Sequence, residues 1–409
     1  MTSHLYNDAE SGSRGGSLAI VLLVGLVWIA MLAGDWWMRF AWYHWQTTLT
    51  ARPIVAEGPD APLVRQEVKE TRGGDLTGLL GIPALARRFE QTRSATLNLS
   101  DEYGFRNIPP VKNRYFPLVA VGSSYIVAGE TMSNTFSAAL SRASGRDVYC
   151  YGWAARGPLF SVTRFLGDER FATNPPRVMV WGLVEREIGG DMLAELVKRL
   201  KGLNEEPLGA GVPGGRRIAW SVLAPRSVQK SLPASSVIAH LSHRAWNGIR
   251  YYVFGQLGPD VCFAARPVGG KPVLMYKWAI EAMKWTPDQR KPAKVVETLK
   301  FLDSFCKARG IKLVVMLIPD KEQVYRDRLP PEMDTPESPI PDSTLNAVEA
   351  GLRREGVPVV NLLGPFRERA REDVLLYWAD DTHWNSEGIE LAARCVWKEI
   401  EEKRLLDSP

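Results

Sequence analysis

At 409 residues, with 45% hydrophobic and 24% charged side chains, the chain has a folded protein's composition and room for one large domain or two ordinary ones plus an appendage. Its formal charge of +5 is scattered along the chain, not massed into a basic stripe, so nucleic acid is not an expected partner. The four cysteines, Cys150, Cys262, Cys306 and Cys395, have no CxxC spacing, which argues against a zinc centre, and no cofactor motif is present.

Residues 17–34 carry no charge and are dominated by Leu, Val, Ile, Ala and Gly, about the minimum length for a helix that crosses a hydrocarbon core. After Asp35 come Trp36, Trp37, Phe40, Trp42, Tyr43 and Trp45, amphipathic rings that suit a headgroup boundary. A cleaved signal peptide would have a shorter apolar core and a small-x-small site, and Ala30 to Ala33 has the wrong spacing. Residues 1–16 are therefore expected to be a cytoplasmic tail and 17–34 a single transmembrane signal-anchor. Residues 35–95 read as an aromatic belt and stalk with a short helix near Leu79 to Gln91, and 96–409 as an exported domain.

The domain opens with a strand-like run, Tyr115 to Val121, leading through Gly122-Ser123-Ser124-Tyr125 into a helical pattern that reaches Arg142. Asp147 to Tyr151 is a second strand, Gly152 to Pro158 a loop, and Arg177 to Leu183 a third continuous apolar run. Apolar runs alternating with helical patterns predict an α/β three-layer sandwich with a mostly parallel central sheet. Residues 188–290 break that rhythm with Gly209 to Gly215, several prolines, Trp246, Tyr251 and Tyr252, and are expected to form an insertion or lid over the sheet's carboxyl edge. The rhythm resumes with a helix over Pro292 to Arg309, a strand over Lys312 to Ile318, a helix over Asp342 to Glu355 and a strand over Val357 to Asn361. A last helix runs from Ser386, its expected N-cap, to Lys403.

Ser124 falls on a strand-to-helix turn, where a parallel sheet presents a hydroxyl at its carboxyl edge and free backbone N–H groups can meet an oxyanion. A serine is nearly inert at neutral pH without a base, and His383 is the best base available. It sits in Asp380-Asp381-Thr382-His383-Trp384-Asn385, so either Asp380 or Asp381 can orient the imidazole. His4 and His44 lie in the anchor region. His240 and His243 have helical ligand spacing but no acidic partner nearby, so no metal site is expected.

These blocks together resemble the SGNH hydrolase superfamily, whose fold is flavodoxin-like, and in particular the SGNH-like domains of alginate O-acetylation proteins. Gly122 to Tyr125 is similar to the Gly-Asp-Ser-Phe/Tyr block, with Ser124 in third place and Ser123 replacing the Asp. Asn98 to Asn107 is similar to the segment that precedes it, Glu185-Arg186 to the alginate-type pair after the third strand, Ile318 to Tyr325 to Ile-Pro-x-Lys-x-x-Val-Tyr, and Asp381 to Trp384 to Asp-x-His-Trp. The resemblance implies Ser124 as nucleophile, His383 as base and Asp381, or Asp380, as its partner. It also implies oxyanion or substrate contacts from Tyr125, Gly152, Gly157, Arg186, Lys321 and Trp384. Two departures are a serine that precedes the Asp-His motif, unlike the alginate proteins, and the missing third-block Asn. The implied activity is O-acetyl transfer to, or O-acetyl ester hydrolysis on, an exported polysaccharide, with a membrane-bound acyl-donor partner, at a bacterial inner membrane with the domain in the periplasm. A non-catalytic polysaccharide-binding or scaffold subunit is the alternative.

Overall fold

The computed structural model describes residues 21–37, 66–68, 74–89, 96–98, 101–153, 157–188, 190–205, 237–284, 291–336, 340–341 and 343–407. The chain divides into two compact units, Met1–Ile54 with Gly215–Ile249, and Val55–Gly214 with Arg250–Pro409.

Five apolar runs form the central sheet of the second unit: β1 (Leu118–Gly122), β2 (Val148–Gly152), β3 (Val178–Val184), β4 (Lys312–Ile318) and β5 (Val359–Asn361). All pairings are parallel and the spatial order is 2-1-3-4-5, the flavodoxin-like arrangement. A parallel sheet is covered on both faces, which is why these strands read as unbroken apolar runs. The Phe136–Ser144 and Ser386–Glu402 helices pack together on one face. The Gly157–Leu166, Gly190–Glu205, Pro292–Lys307 and Thr344–Arg354 helices form the other layer. The α/β sandwich expected from the sequence is therefore the observed fold. The edge of β2 is closed by Asn107, whose amide donates to Cys150 O (3.2 Å) and accepts from Cys150 N–H (2.7 Å), blunting an exposed strand edge.

Several local expectations need correction. The helix expected near Leu79 to Gln91 is two short helices, Asp75–Leu80 and Pro83–Arg88, because Gly81 adopts a left-handed conformation (φ 65°) that ends the first. Asn385 rather than Ser386 caps the last helix, its side chain accepting from Gly388 N–H at 3.1 Å. The Leu363–Arg371 helix has no counterpart in the sequence reading. The interval 188–290 contains the Gly190–Glu205, Val237–Phe254 and Lys277–Met283 helices and a hairpin of Val261–Phe263 with Leu274–Tyr276, while 206–236 lies outside the described residues.

In the first unit residues 21–37 are helical and their apolar side chains are exposed, from Val21 (66%) to Leu32 (61%) and Trp37 (64%). Among the described residues no helix is long and apolar enough to cross a membrane. The tail 1–16, the start of the expected span and the aromatic residues beyond Trp37 lie outside the described residues.

Candidate active site

The order 2-1-3-4-5 makes a crevice between the carboxyl ends of β1 and β3, where neighbouring connections leave on opposite faces. Ser124 stands at the end of β1. The strand stops at Gly122, Ser123 is extended (φ −84°, ψ −155°), and Ser124 opens the one-turn Ser124–Val127 helix. What holds that turn is a hollow made by glycines on three adjacent strands. A Cβ on Gly122, Gly152 or Gly182 would come within 2.6, 3.1 and 3.1 Å of an Ile126 carbon, and on Gly152 also within 2.5 Å of Val127 Cγ1. Ile126 therefore plugs the sheet end only because all three side chains are missing. Trp153 N–H (2.9 Å) and the Ser161 hydroxyl (2.6 Å) both donate to Gly122 O, and Arg106 donates to Val127 O and Gly129 O at the far end of the turn. Ile126 N–H donates back to Ser123 O at 3.1 Å, which leaves the N–H groups of Ser124 and Tyr125 as the ones that can meet a developing oxyanion.

His383 arrives from the loop before the last helix. Its Nε2 lies 2.8 Å from Ser124 Oγ and its Nδ1 2.7 Å from Asp381 Oδ1, while its backbone N–H donates to the same oxygen at 2.9 Å. Asp75 N–H donates to the other Asp381 oxygen at 3.2 Å. Burial works to raise the Asp381 carboxyl, but hydrogen bonding and charge from His383 outweigh it and hold the group well below the ordinary carboxylate range. Asp380, the alternative acid, turns away: its carboxylate accepts from Gly74 N–H (2.5 Å) and Thr77 Oγ1 (3.2 Å). Gly74 can approach only because it lacks a side chain, since a Cβ there would sit 2.3 Å from Asp380 O.

Three residues expected to contact substrate are buried instead. Tyr125 is 1% exposed and donates to Thr382 O at 2.6 Å, and Trp384 is fully buried with its Nε1–H on Tyr125 O at 3.1 Å. Lys321 is also fully buried, its ammonium donating to Asp381 O (2.8 Å) and Trp378 O (3.4 Å). Burial pulls Lys321 below its ordinary value, against the charges of Glu322, Asp75, Asp381 and Asp380. These three build the floor that fixes the His383 loop. Arg186 pairs with Asp320, lies over the Tyr125 ring (5.6 Å) and reaches Thr382 Oγ1 at 3.4 Å, so it too braces the loop. Glu185 accepts from Ser343 Oγ (2.7 Å) and Gln323 Nε2 (3.4 Å). Gly152 serves the Ile126 hollow and Gly157 begins a helix, with 154–156 outside the described residues.

Two acidic residues join the site that the sequence reading does not single out. Asp75 Oδ1 accepts from Thr382 N–H at 2.8 Å, and Oδ2 accepts from Thr382 Oγ1 and lies 3.8 Å from His383 Nδ1. Burial and the Asp381 charge push its carboxyl up. Glu187 lies near Ser123, with Arg186 and His383 acting on it; burial outweighs them and pushes it up to about 7. Glu187 Oε2 and Ser123 Oγ are buried atoms without a hydrogen-bond partner. Neither acid stands in a recognisable motif, and Asp75 belongs to the interval read as stalk. Asp75, Asp381 and His383 bring possible ligand atoms within 4.8 Å of one another, yet each already serves a hydrogen bond of the loop, an arrangement that suits proton transfer. His243, the other histidine with a described side chain, lies 3.3 Å from Asn247 Nδ2.

A family profile described as SGNH hydrolase-like domain, acetyltransferase AlgX, matches residues 46–185 and 278–409. The probable alginate O-acetylase AlgJ of Pseudomonas aeruginosa is 34% identical over 172 residues, 42% of this chain and 41% of that protein. The same-named protein of Azotobacter vinelandii is 35% identical over 89 residues, 20% of this chain and 22% of the relative. That of Pseudomonas fluorescens is 34% identical over 70 residues, 17% of each. Each of these alignments spans less than half of the relative's length.

Proposed function

The chain belongs to the AlgX family of SGNH hydrolase-like acetyltransferase domains, and on that premise we propose that it is a membrane-anchored O-acetyltransferase acting on an exported polysaccharide of the alginate type. The observation that carries this reading is the unbroken Ser124–His383–Asp381 relay, 2.8 and 2.7 Å, at the crevice of the sheet.

In the first step His383 Nε2 takes the Ser124 proton as Oγ attacks the acetyl carbonyl of the donor. First-turn backbone N–H groups hold the oxyanion, and the donor's leaving group departs with the proton from His383. In the second step a sugar hydroxyl gives its proton to His383 and attacks the acetyl-serine, restoring Ser124. Asp381, kept ionised, fixes the Nδ1–H tautomer and stabilises the imidazolium in both steps. Transfer is favoured over hydrolysis by family membership. A membrane-bound acyl-donor protein is the partner that such a reaction needs, and the periplasm is where an exported polymer would meet it. The exposed apolar helix over residues 21–37 supports a membrane anchor, since water leaves such a surface costly unless something apolar covers it.

Turnover of 4-nitrophenyl acetate by the full chain in detergent, with and without the polysaccharide, tests the reading. Ser124→Ala is expected to lower kcat by roughly a thousandfold or more, and the polysaccharide is expected to receive acetyl from the wild type only. Equal turnover by wild type and Ser124→Ala sinks the serine mechanism.

A further inference from the structure

The hairpin at the end of the 188–290 interval is stitched to the catalytic loop. Leu274 N–H donates to Ala379 O at 2.7 Å, one residue before Asp380, and Tyr276 N–H donates to Glu322 Oε1 at 2.7 Å, next to the buried Lys321. The Leu274–Tyr276 strand packs against the Asp75–Leu80 helix, and the Lys277–Met283 helix that follows packs against the Glu185–Glu187 turn. The strand and helix are thereby held between the Asp75–Leu80 helix and the Glu185–Glu187 turn. Two rings stand where strand meets helix. Trp278 is 46% exposed, Tyr276 is half-buried, and their centroids lie 6.0 Å apart with planes 39° from each other.

An exposed indole on a helix packed against the Glu185–Glu187 turn is not core material. A pyranose ring has one face of C–H bonds and a rim of hydroxyls, so it packs against the negative π face of an aromatic ring while its rim bonds to polar groups. We propose that Tyr276 and Trp278 form a saccharide-binding platform at the mouth of the Ser124 crevice, holding the acceptor sugar whose neighbouring hydroxyl is acetylated. This rests on the acetyl-transfer reading and names the substrate class of that site. Lys277 N–H bonds Asp260 O at 2.9 Å, which ties Asp260 to the platform. Burial pushes the Tyr276 phenol up, and Asp260, Arg186 and Asp75 act on it through their charges. Tyr276 also falls within 186–277, outside the family match, and Trp278 lies in the next matched segment, which starts at 278.

The test is calorimetric titration of the full chain in detergent with an alginate-derived hexasaccharide, for wild type, Trp278→Ala and Trp278→Phe. The Ala variant is expected to bind about tenfold more weakly and the Phe variant to recover most of that loss. Tyr276→Ala, which keeps the backbone bond to Glu322, is expected to weaken binding in the same direction. Unchanged affinity in both alanine variants, or no binding by the wild type, overturns the platform. Turnover of 4-nitrophenyl acetate by the same wild-type sample reads the Ser124 chemistry separately. Tryptophan-dependent saccharide binding in a chain that turns over no ester supports the platform and removes the catalytic reading.

Discussion

Replacing Asp380 or Asp381 by Asn removes one negative charge at nearly constant volume, yet the two changes break different bonds. Asp381 Oδ1 accepts from both the ring and the backbone of His383, so a side-chain amide in its place stabilises the wrong tautomer. Asp381→Asn is expected to lower kcat by roughly a thousandfold to ten-thousandfold with little change in KM. Asp380 binds Gly74 N–H and Thr77 Oγ1 and never reaches the imidazole. Asp380→Asn retains one acceptor and is expected to cost about 1–2 kcal/mol of folding stability, with kcat kept within roughly threefold. Ester kinetics paired with urea unfolding separates the two, and the opposite pattern would exchange the roles. At this scale burial alone misleads: Lys321, Tyr125 and Trp384 sit within a few bonds of the relay, but each spends its polar atom on a backbone carbonyl of the site's own framework.

Among the elements, the five sheet strands are legible because a doubly covered strand must be apolar at every position, as in Val178–Val184, where all seven residues are buried. The order 2-1-3-4-5 is not written in any strand; it follows from how the connecting helices divide between the two faces. Short elements defeat the reading for a different reason. The Asp75–Leu80 helix is too brief to show a period, and its N-terminal turn is fixed by Asp380, 306 residues away. The apolar helix over 21–37 is the reverse case, obvious from composition. Its Leu, Val, Ile and Trp side chains are exposed among the described residues, which is what supports the anchor proposed above. The full chain is expected in the membrane fraction and to stay there through alkaline carbonate extraction, whereas deletion of residues 17–34 releases it. Full release of the intact chain by carbonate would reduce this segment to a peripheral contact.

On the scale of the whole molecule, the site is legible where its residues keep a motif and hidden where chain folding alone assembles it. Ser124 and His383 stand 259 residues apart but each sits in a recognisable block. Asp75 and Glu187 have no block, and only the tertiary structure brings them to the loop. Glu187 gives this assembly a global signature. Its carboxyl, ordinarily near 4.5, is pushed up to about 7 chiefly by burial, so the neutral form is the one the fold favours. A group raised on folding adds its full stabilisation below its unfolded value and loses it as pH rises through the folded value; for Glu187 that window runs from about 4.5 to about 7. Glu187→Gln keeps the volume and a neutral side chain and cannot ionise. Between about pH 5 and about pH 8 the stability difference should therefore move in favour of the Gln variant by about 1–3 kcal/mol, with the wild type losing ground as its carboxylate is forced to charge beside Ser123. Urea unfolding of both chains at the two pH values measures it. A difference that stays constant across the window would mean that Glu187 is already ionised in the folded chain at the lower pH, and that the buried, partnerless Oε2 reaches solvent that this packing denies it.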